Sequence, residues 1–113
     1  MKRVDKPWGY EIWWAHTDRY VGKLIFVKAG NALSLQYHEK KSESMYCQSG
    51  TAELTLNGEV RRFEPGEAVD IPVGMRHRLV AITDVTVFEV STPEVEDVVR
   101  LEDRYGREGT SNP

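Results

Sequence analysis

Short segments in which apolar and polar residues alternate follow one another along the chain, separated by turn residues. Residues 10–14 read YEIWW and residues 85–90 read VTVFEV. Successive side chains of a strand point to opposite faces, so such segments favour half-buried strands. Their recurrence at intervals of roughly 8–12 residues is typical of an all-β sandwich or barrel. We predict strands at residues 10–14, 20–28, 33–38, 43–48, 51–57, 60–64, 68–71, 76–82 and 85–90.

Glycine and proline mark the connections between these strands. Asn57-Gly58 predicts a tight hairpin turn with positive φ at both residues, and Pro65-Gly66 predicts a turn that combines a fixed φ with a free one. Residues 72–74 (PVG) predict another corner. Residues 94–101 (EVEDVVRL) fit a helix with its valines on one face, but strand alternation fits them almost as well.

The length of 113 residues suits one hydrophobic core. We expect a single domain over residues 1–107 and a frayed polar tail over residues 108–113. The one cysteine, Cys47, excludes an internal disulfide, and we expect it to pack as a small apolar residue within a strand.

The charges are nearly balanced and are dispersed along the chain. Fifteen basic residues stand against 18 acidic ones, which gives a net charge of −3. This pattern argues against nucleic acid or an anionic membrane as the main partner, since both favour a concentrated positive patch. No apolar run approaches the roughly 18 residues of a spanning helix, and the start of the chain, MKRVDKPWGY, lacks the apolar stretch of a signal peptide. We therefore expect a cytoplasmic protein.

Polar residues occupy positions in residues 34–50 (SLQYHEKKSESMYCQSG) where a half-buried strand normally carries apolar ones. Gln36 and His38 are two apart and therefore share a face, and a turn over EKKS can return Glu43 to the same space. His77, after the PVG corner, adds a second imidazole. Two imidazoles, a carboxylate and an amide oxygen form a suitable coordination sphere for a divalent transition metal.

The spacing of these residues resembles the two motifs of the cupin superfamily. The first motif reads Gly30, five residues, Gln36, one residue, His38, four residues, Glu43, six residues and Gly50. The second reads Gly66, five residues, Pro72, one residue, Gly74, two residues and His77. The resemblance implies the cupin fold, an all-β double-stranded β-helix or jelly-roll barrel, with a metal ion inside.

Within the cupins, the chain is similar to the C-terminal cupin domain of mannose-6-phosphate isomerases of type II. The shared segments are KPWGYE at 6–11, LSLQYH at 33–38, SGTAELTLNGEV at 49–60, IPVGMRHRL at 71–79 and VVRLEDRYGR at 98–107. The resemblance implies a Gln-x-His pair of metal ligands, so that Gln36, His38, Glu43 and His77 bind one divalent ion. Zinc is the first expectation, with manganese, iron, nickel and cobalt as alternatives. The resemblance also implies conversion of mannose 6-phosphate to fructose 6-phosphate.

Such an isomerisation needs a Lewis acid on the sugar oxygens and a base that carries a proton between two carbons. Glu89 is the candidate base, because VFEV places its carboxylate among apolar residues, where burial raises a pKa. The competing interpretation pairs Glu89 with a buried lysine or arginine. Lys41, which precedes the motif glutamate, is a further catalytic candidate, and Asp70 is an alternative base.

A sugar phosphate also needs cations at the mouth of the barrel, and arginine suits bidentate phosphate contacts. The candidates for substrate binding are Lys23, Arg76, Arg78 and Arg107, with Lys41 available as well. A solvated surface charge is the alternative for each. Asp103, Tyr105 and Arg107 resemble the terminal signature of the family, which implies that they help to close one end of the barrel.

Other functions fit the same residues. The main rival is a non-catalytic cupin that binds a sugar or another small metabolite, and an Fe(II) oxygenase is a third possibility. We expect a homodimer, because exposed edge strands and aromatic residues suit pairing. Trp8, Trp13 and Trp14 are expected to cover the outside of the barrel or a subunit contact, with a substrate platform as the alternative, and His16 is expected at the surface.

Overall fold

The computed structural model describes residues 1–110 and consists of two six-stranded antiparallel sheets. One sheet has the strand order β1-β2-β3-β10-β5-β8 and the other has the order β12-β11-β4-β9-β6-β7. The strands are β1 (Lys2–Lys6), β2 (Gly9–His16), β3 (Val21–Val27), β4 (Leu35–Tyr37), β5 (Glu43–Ser49), β6 (Ala52–Leu56), β7 (Glu59–Phe63), β8 (Ala68–Ile71), β9 (His77–Ala81), β10 (Val85–Ser91), β11 (Val99–Glu102) and β12 (Gly109–Thr110). The prediction of an all-β fold is confirmed.

All nine predicted strands are present, from β2 to β10, with ends that differ by a few residues. Buried and more exposed positions alternate along β9 and β10, with burial switching at each residue over His77–Ala81 and Val85–Ser91. Within residues 1–110, no helix has the length and apolar character needed to cross a membrane.

Three strands were not predicted. β1 has the sequence KRVDK, in which Val4 is the one apolar residue, and it forms the outer edge of its sheet beside β2. A charged edge strand gives no alternation signal, and its charges discourage pairing with another chain. The helix considered for residues 94–101 is absent, because turns lead there into β11, which pairs with β4.

The hydrophobic core lies between the two sheets. Leu54 and Phe63 have no exposed surface, and Ile25 is 2% exposed. Cys47 also lies in this core, within β5, so the prediction of a packed thiol is confirmed. Its burial raises the pKa of the thiol, which disfavours the reactive thiolate.

The prediction for the tryptophans is wrong for two of the three. Trp8 is 3% exposed and belongs to the core, and Trp13 is 5% exposed with its indole N–H donating to Glu11. Only Trp14 is on the outside, where its ring lies over Gly22. A strand sends alternate residues inward, and β2 begins one residue after Trp8, so the cluster divides between the two faces. His16 is exposed, as predicted.

Turns at the ends of the sheets have the predicted chemistry. Asn57 and Gly58 have φ values of 49° and 86° in the hairpin between β6 and β7.

Gly109 and Thr110 form β12 against β11, so part of the tail predicted from residue 108 is a strand. Residues 111–113 of that tail lie outside the described residues.

Two glycines of the first sequence motif, Gly30 and Gly50, share a φ of +81° but differ in their surroundings. A Cβ atom on Gly50 would lie 1.9 Å from the backbone oxygen of Asp84, whereas a Cβ on Gly30 would meet no atom within 4 Å. The space at Gly50 is therefore closed by backbone, which cannot rotate away.

We predict that Gly50→Ala destabilises the fold much more than Gly30→Ala. Both substitutions carry the left-handed backbone cost of roughly 1–2 kcal/mol, but only the first adds a backbone clash. The free energy of unfolding from urea titrations should therefore fall by at least about 2 kcal/mol more for Gly50→Ala. Equal losses in the two variants would show that the packing at Gly50 is wrong.

Candidate metal centre

Both sheets contribute to one polar centre inside the barrel. In one sheet, Gln36 of β4 lies directly opposite His77 of β9, so their side chains share the inner face. His38 follows β4 by one residue. In the other sheet, Glu43 begins β5 and faces the same interior. Four side chains from two sheets therefore approach one another as the sequence predicts.

One oxygen of Glu43 lies between the two imidazoles. Glu43 Oε1 is 3.0 Å from His38 Nε2 and 3.2 Å from His77 Nε2. One donor atom from each of the three side chains lies within 4.8 Å of the other two. Each of the three residues is buried, with at most 6% of its surface exposed.

Backbone carbonyls decide which nitrogen of each imidazole carries hydrogen. His38 Nδ1 contacts the carbonyl oxygen of Asp97, and His77 Nδ1 lies 3.0 Å from the carbonyl oxygen of Met75. A carbonyl can only accept, so each Nδ1 must donate. In the neutral imidazole, Nε2 is then a bare lone pair that faces the carboxylate. Such a contact is repulsive unless a cation or added protons lie between the three atoms.

The donor set fits a divalent transition metal. With bonds of about 2.0–2.1 Å, neighbouring donors around four-coordinate zinc lie roughly 3.3 Å apart, close to the two spacings measured from Glu43. Carbonyl groups that hold the outer nitrogen of each ligating imidazole are also usual at metal sites. Gln36 Oε1 accepts a hydrogen bond from Ser34 at 3.2 Å and keeps a second lone pair available.

Glu89 and Lys41 lie next to this centre. Lys41 Nζ is 3.5 Å from Glu89 Oε2, so the buried lysine neighbour considered from the sequence is present. Burial, and then the charge of Glu43, raise the pKa of Glu89 to about 8. Burial would also raise the pKa of Glu43, but its hydrogen bond with Glu89 and the neighbouring imidazoles hold that pKa well below the usual value. At neutral pH the proton therefore resides on Glu89, which donates to the ionised Glu43.

A cleft that is open to solvent leads to the centre. Its apolar wall includes Trp8, Ile25, Leu33, Val95 and Val98. Its ionisable lining consists of Lys6, Glu11, Lys23, His38, Lys41, Glu89, Arg100 and Arg107. The cleft is therefore much more polar than the core behind it.

Three of these ionisable residues were missed by the sequence reasoning. Lys6 and Glu11 lie in KPWGYE, and Arg100 lies in VVRLEDRYGR. These two segments carry the family resemblance. The sequence did contain a signal for Glu11, because this residue alternates with apolar neighbours in the same way as Glu89. Glu11 is 7% exposed and lies 3.4 Å from the Lys23 amine, so a second buried ion pair borders the cleft.

The predicted substrate cations divide into two groups. Lys23 and Arg107 line the cleft. Arg76 does not: it is exposed and lies over the ring of Tyr37. Arg78 does not line this cleft either, but it lines a smaller cavity beside Gln36, Glu43 and His77. Its Nε donates to the carbonyl of Leu33 and its Nη1 is 3.9 Å from Glu102.

The alternative base, Asp70, is wrongly placed for that role. It pairs with Ser44 across β8 and β5 and accepts a hydrogen bond from the Ser44 hydroxyl at 2.7 Å. Since Ser44 is adjacent to Glu43 in a strand, the two point to opposite faces. Asp70 therefore lies on the outside of the barrel.

Comparison with known proteins identifies the family. Residues 1–103 match the family described as mannose-6-phosphate isomerase C-terminal. The chain belongs to this family. Similar curated proteins include the mannose-1-phosphate guanylyltransferase ManC of Salmonella typhimurium, 39% identical over 111 residues, and the xanthan biosynthesis protein XanB of Xanthomonas campestris, 36% identical over 111 residues. These alignments cover 94% of this chain but 23% and 24% of the relatives, so it spans about a quarter of their length.

Solved structures confirm the cupin barrel. The structure of KdgF from Halomonas sp. is 27% identical, with a TM-score of 0.76 over 83% of this chain and 87% of that one. A sugar phosphate isomerase of the cupin superfamily from Silicibacter pomeroyi is 17% identical, with a TM-score of 0.72 over 80% of this chain and 64% of that one. The second likeness concerns the fold alone.

The relatives of this family member overturn the predicted isomerase activity. Those at 35%, 36% and 39% identity are named mannose-1-phosphate guanylyltransferase, and the expected conversion of mannose 6-phosphate to fructose 6-phosphate is therefore wrong. The expectation rested on motifs that build a barrel and its centre, and one such fold supports many unrelated activities. Family and relatives place the chain among domains of mannose-phosphate enzymes.

We predict that Glu11→Gln makes the stability of the chain less dependent on pH. Burial would raise the pKa of Glu11, but Lys23 and Lys6 hold it below its usual value of 4.5. A lowered carboxyl pKa stabilises the fold above the usual pKa, and this contribution is lost as the pH falls through the lower pKa of the folded state. Glu11→Gln should cost about 3 kcal/mol at pH 7, because it leaves Lys23 buried and unpaired, and clearly less at pH 3.

Urea unfolding of both proteins at pH 7 and pH 3 measures this difference. Glu53→Gln, at an exposed position of β6, serves as the control and should change stability little at either pH. A penalty for Glu11→Gln that is the same at both pH values would show that the ion pair with Lys23 does not form.

Proposed function

We propose that the chain binds a small phosphorylated sugar through a divalent metal ion held by Gln36, His38, Glu43 and His77. The observation that carries the proposal is the contact of two bare imidazole nitrogens with one carboxylate oxygen in a buried space. Family membership and the mannose-phosphate relatives support the class of ligand.

The charges of the centre favour an oxygen-rich ligand. Neutral His38 and His77 contribute no charge, and the charges of Lys41 and Glu43 cancel. Glu89 is protonated at neutral pH, with a pKa of about 8. A bound divalent ion leaves the centre with a net positive charge whether or not Glu89 is ionised, and this charge attracts hydroxyl, carbonyl or phosphate oxygens. When bound, the metal supplies a Lewis acid to those oxygens.

The residues around the centre hold its ligands in place. Asp97 orients His38 through its backbone carbonyl and also accepts hydrogen bonds from the backbone N–H groups of Lys40 and Lys41. Glu89 donates to Glu43, which leaves the other carboxylate oxygen directed between the imidazoles. The apolar wall that contains Trp8 and Ile25 excludes water from one side of the cleft. These contacts suit recognition of one ligand orientation.

We predict that His38→Ala abolishes tight metal binding and that His16→Ala does not. His38 supplies a ligand, whereas His16 is exposed and belongs to neither motif, so it is a matched control. Elemental analysis of zinc-loaded, desalted protein should give about one ion per chain for wild type and His16→Ala. His38→Ala should bind zinc at least about tenfold more weakly.

The same proteins test the ligand. Mannose 6-phosphate should raise the melting temperature of zinc-loaded wild type and of His16→Ala, because a ligand that binds only the folded state stabilises it. It should have a much smaller effect on His38→Ala or after removal of zinc by a chelator. Zinc binding that survives in His38→Ala, or an effect of mannose 6-phosphate that does not depend on zinc, would contradict the proposal.

A further inference from the structure

Basic side chains from both sheets meet at one part of the cleft. Lys6 ends β1 and Lys23 lies in β3, whereas Arg100 lies in β11 and Arg107 lies beyond it. All four line the cleft that leads to the metal centre, and we call them the cationic cluster. No single segment of the sequence carries this cluster, since it forms only when the two sheets pack.

Basic groups outnumber acidic groups in this lining. The cleft is lined by five lysines and arginines but by only two carboxylic acids, Glu11 and Glu89. Glu11 pairs with Lys23 at 3.4 Å, and Asp103 holds Arg107 through two hydrogen bonds of 3.0 Å. Among residues 1–110, Lys6 is not a member of any of the ion pairs. Lys6 therefore adds a positive charge to the cluster beyond the pairs Glu11–Lys23 and Asp103–Arg107.

The members of the cluster repel one another. Burial lowers the pKa of Lys6, Glu11 opposes this effect, and the charges of Lys23, Arg100 and Arg107 lower the pKa further. Burial and the charge of Arg107 likewise lower the pKa of Arg100. Like charges collected in a partly buried space disfavour the empty cleft and favour the arrival of an anion.

The register of the strands relates the cluster to the metal centre. Arg100 lies opposite Gln36, and Gln36 lies opposite His77, so the three positions form one row across the inner face. With strands roughly 5 Å apart, the backbone of Arg100 is about 10 Å from that of His77. The long arginine side chain makes the distance from its guanidinium group to the metal centre shorter than the distance between the two backbones. A phosphorylated monosaccharide can therefore reach both places at once.

A phosphate group fits the cluster better than a carboxylate does. A phosphate monoester carries up to two charges and three terminal oxygens, which matches the surplus of cations and the number of N–H donors. Arg107 uses Nε and Nη2 for Asp103, so its remaining N–H groups stay available in a fixed orientation.

We propose that the cationic cluster of Lys6, Lys23, Arg100 and Arg107 is a phosphate subsite that holds the phosphate of a sugar monophosphate whose hydroxyl oxygens reach the metal centre. The assignment of the sugar end rests on the proposed function. The phosphate end stands on the cluster itself and needs no metal.

The test uses inorganic phosphate as the first probe, on the metal-free chain at constant ionic strength. Isothermal titration should show binding to wild type that is at least tenfold weaker in Lys6→Met. Lys28→Met removes one lysine charge at an exposed position outside the cleft and should bind phosphate within twofold of wild type. Arg107→Met is a second variant for which we expect at least a tenfold loss, and circular dichroism confirms that each variant is folded.

The second set of probes comprises mannose 6-phosphate, mannose and glucuronate, each with the zinc-loaded chain. Mannose 6-phosphate should bind wild type at least tenfold more tightly than mannose or glucuronate, and Lys6→Met should abolish this preference. Equal binding of glucuronate and mannose 6-phosphate would overturn the assignment to phosphate. Unchanged phosphate binding in both Lys6→Met and Arg107→Met would overturn the subsite.

The two proposals fail in different ways. If wild type binds inorganic phosphate through Lys6 but gains no affinity for mannose 6-phosphate from zinc, the subsite stands and the metal-dependent function is wrong. If zinc strengthens the binding of mannose 6-phosphate and Lys6→Met changes nothing, the function stands and the subsite is wrong. Absence of phosphate binding to wild type also overturns the subsite.

Discussion

The contact between Glu43 and the inner nitrogens of His38 and His77 is the constraint on which the rest of the site depends. The outer nitrogen of each imidazole donates to a backbone carbonyl, so in the neutral imidazoles both inner nitrogens face the carboxylate as lone pairs. Three acceptors cannot share a buried space without positive charge between them. A divalent metal ion between the three atoms would remove this repulsion and leave the centre positively charged.

The inner face of the barrel carries other buried polar groups next to one another. Lys23 lies opposite both Trp13 and Glu89 across neighbouring strands, and Glu89 lies opposite Met45, so one inner row carries a basic and an acidic residue between two apolar ones. Buried charges here have opposite charges nearby, as in the pair Glu11–Lys23 and in Lys41, which lies near Glu89 and Glu43. Breaking a pair of this kind costs more than the pair itself contributes, because it leaves the other charge buried.

Local sequence pattern predicted the strands well, and motif spacing predicted the residues that meet at the centre. Gln36 and His77 are 41 positions apart, yet the fold brings them opposite each other as the motifs imply. The pattern failed where burial is decided by distant strands. β1 has no alternation, the tryptophans divide between two faces, and Lys6 and Arg100 meet only when the sheets pack. The prediction of the activity failed for a different reason, because the motifs of the barrel determine a site but not the reaction that occurs there.

X-ray absorption spectroscopy at the metal edge tests the central claim most directly. Spectra of the zinc-loaded chain should show a first shell of nitrogen and oxygen donors at about 2.0–2.1 Å, with the outer-shell scattering of two imidazoles. The His77→Ala variant should lose one imidazole from that pattern, and His16→Ala should keep both. A shell made only of oxygen donors, or one that His77→Ala leaves unchanged, would contradict the account.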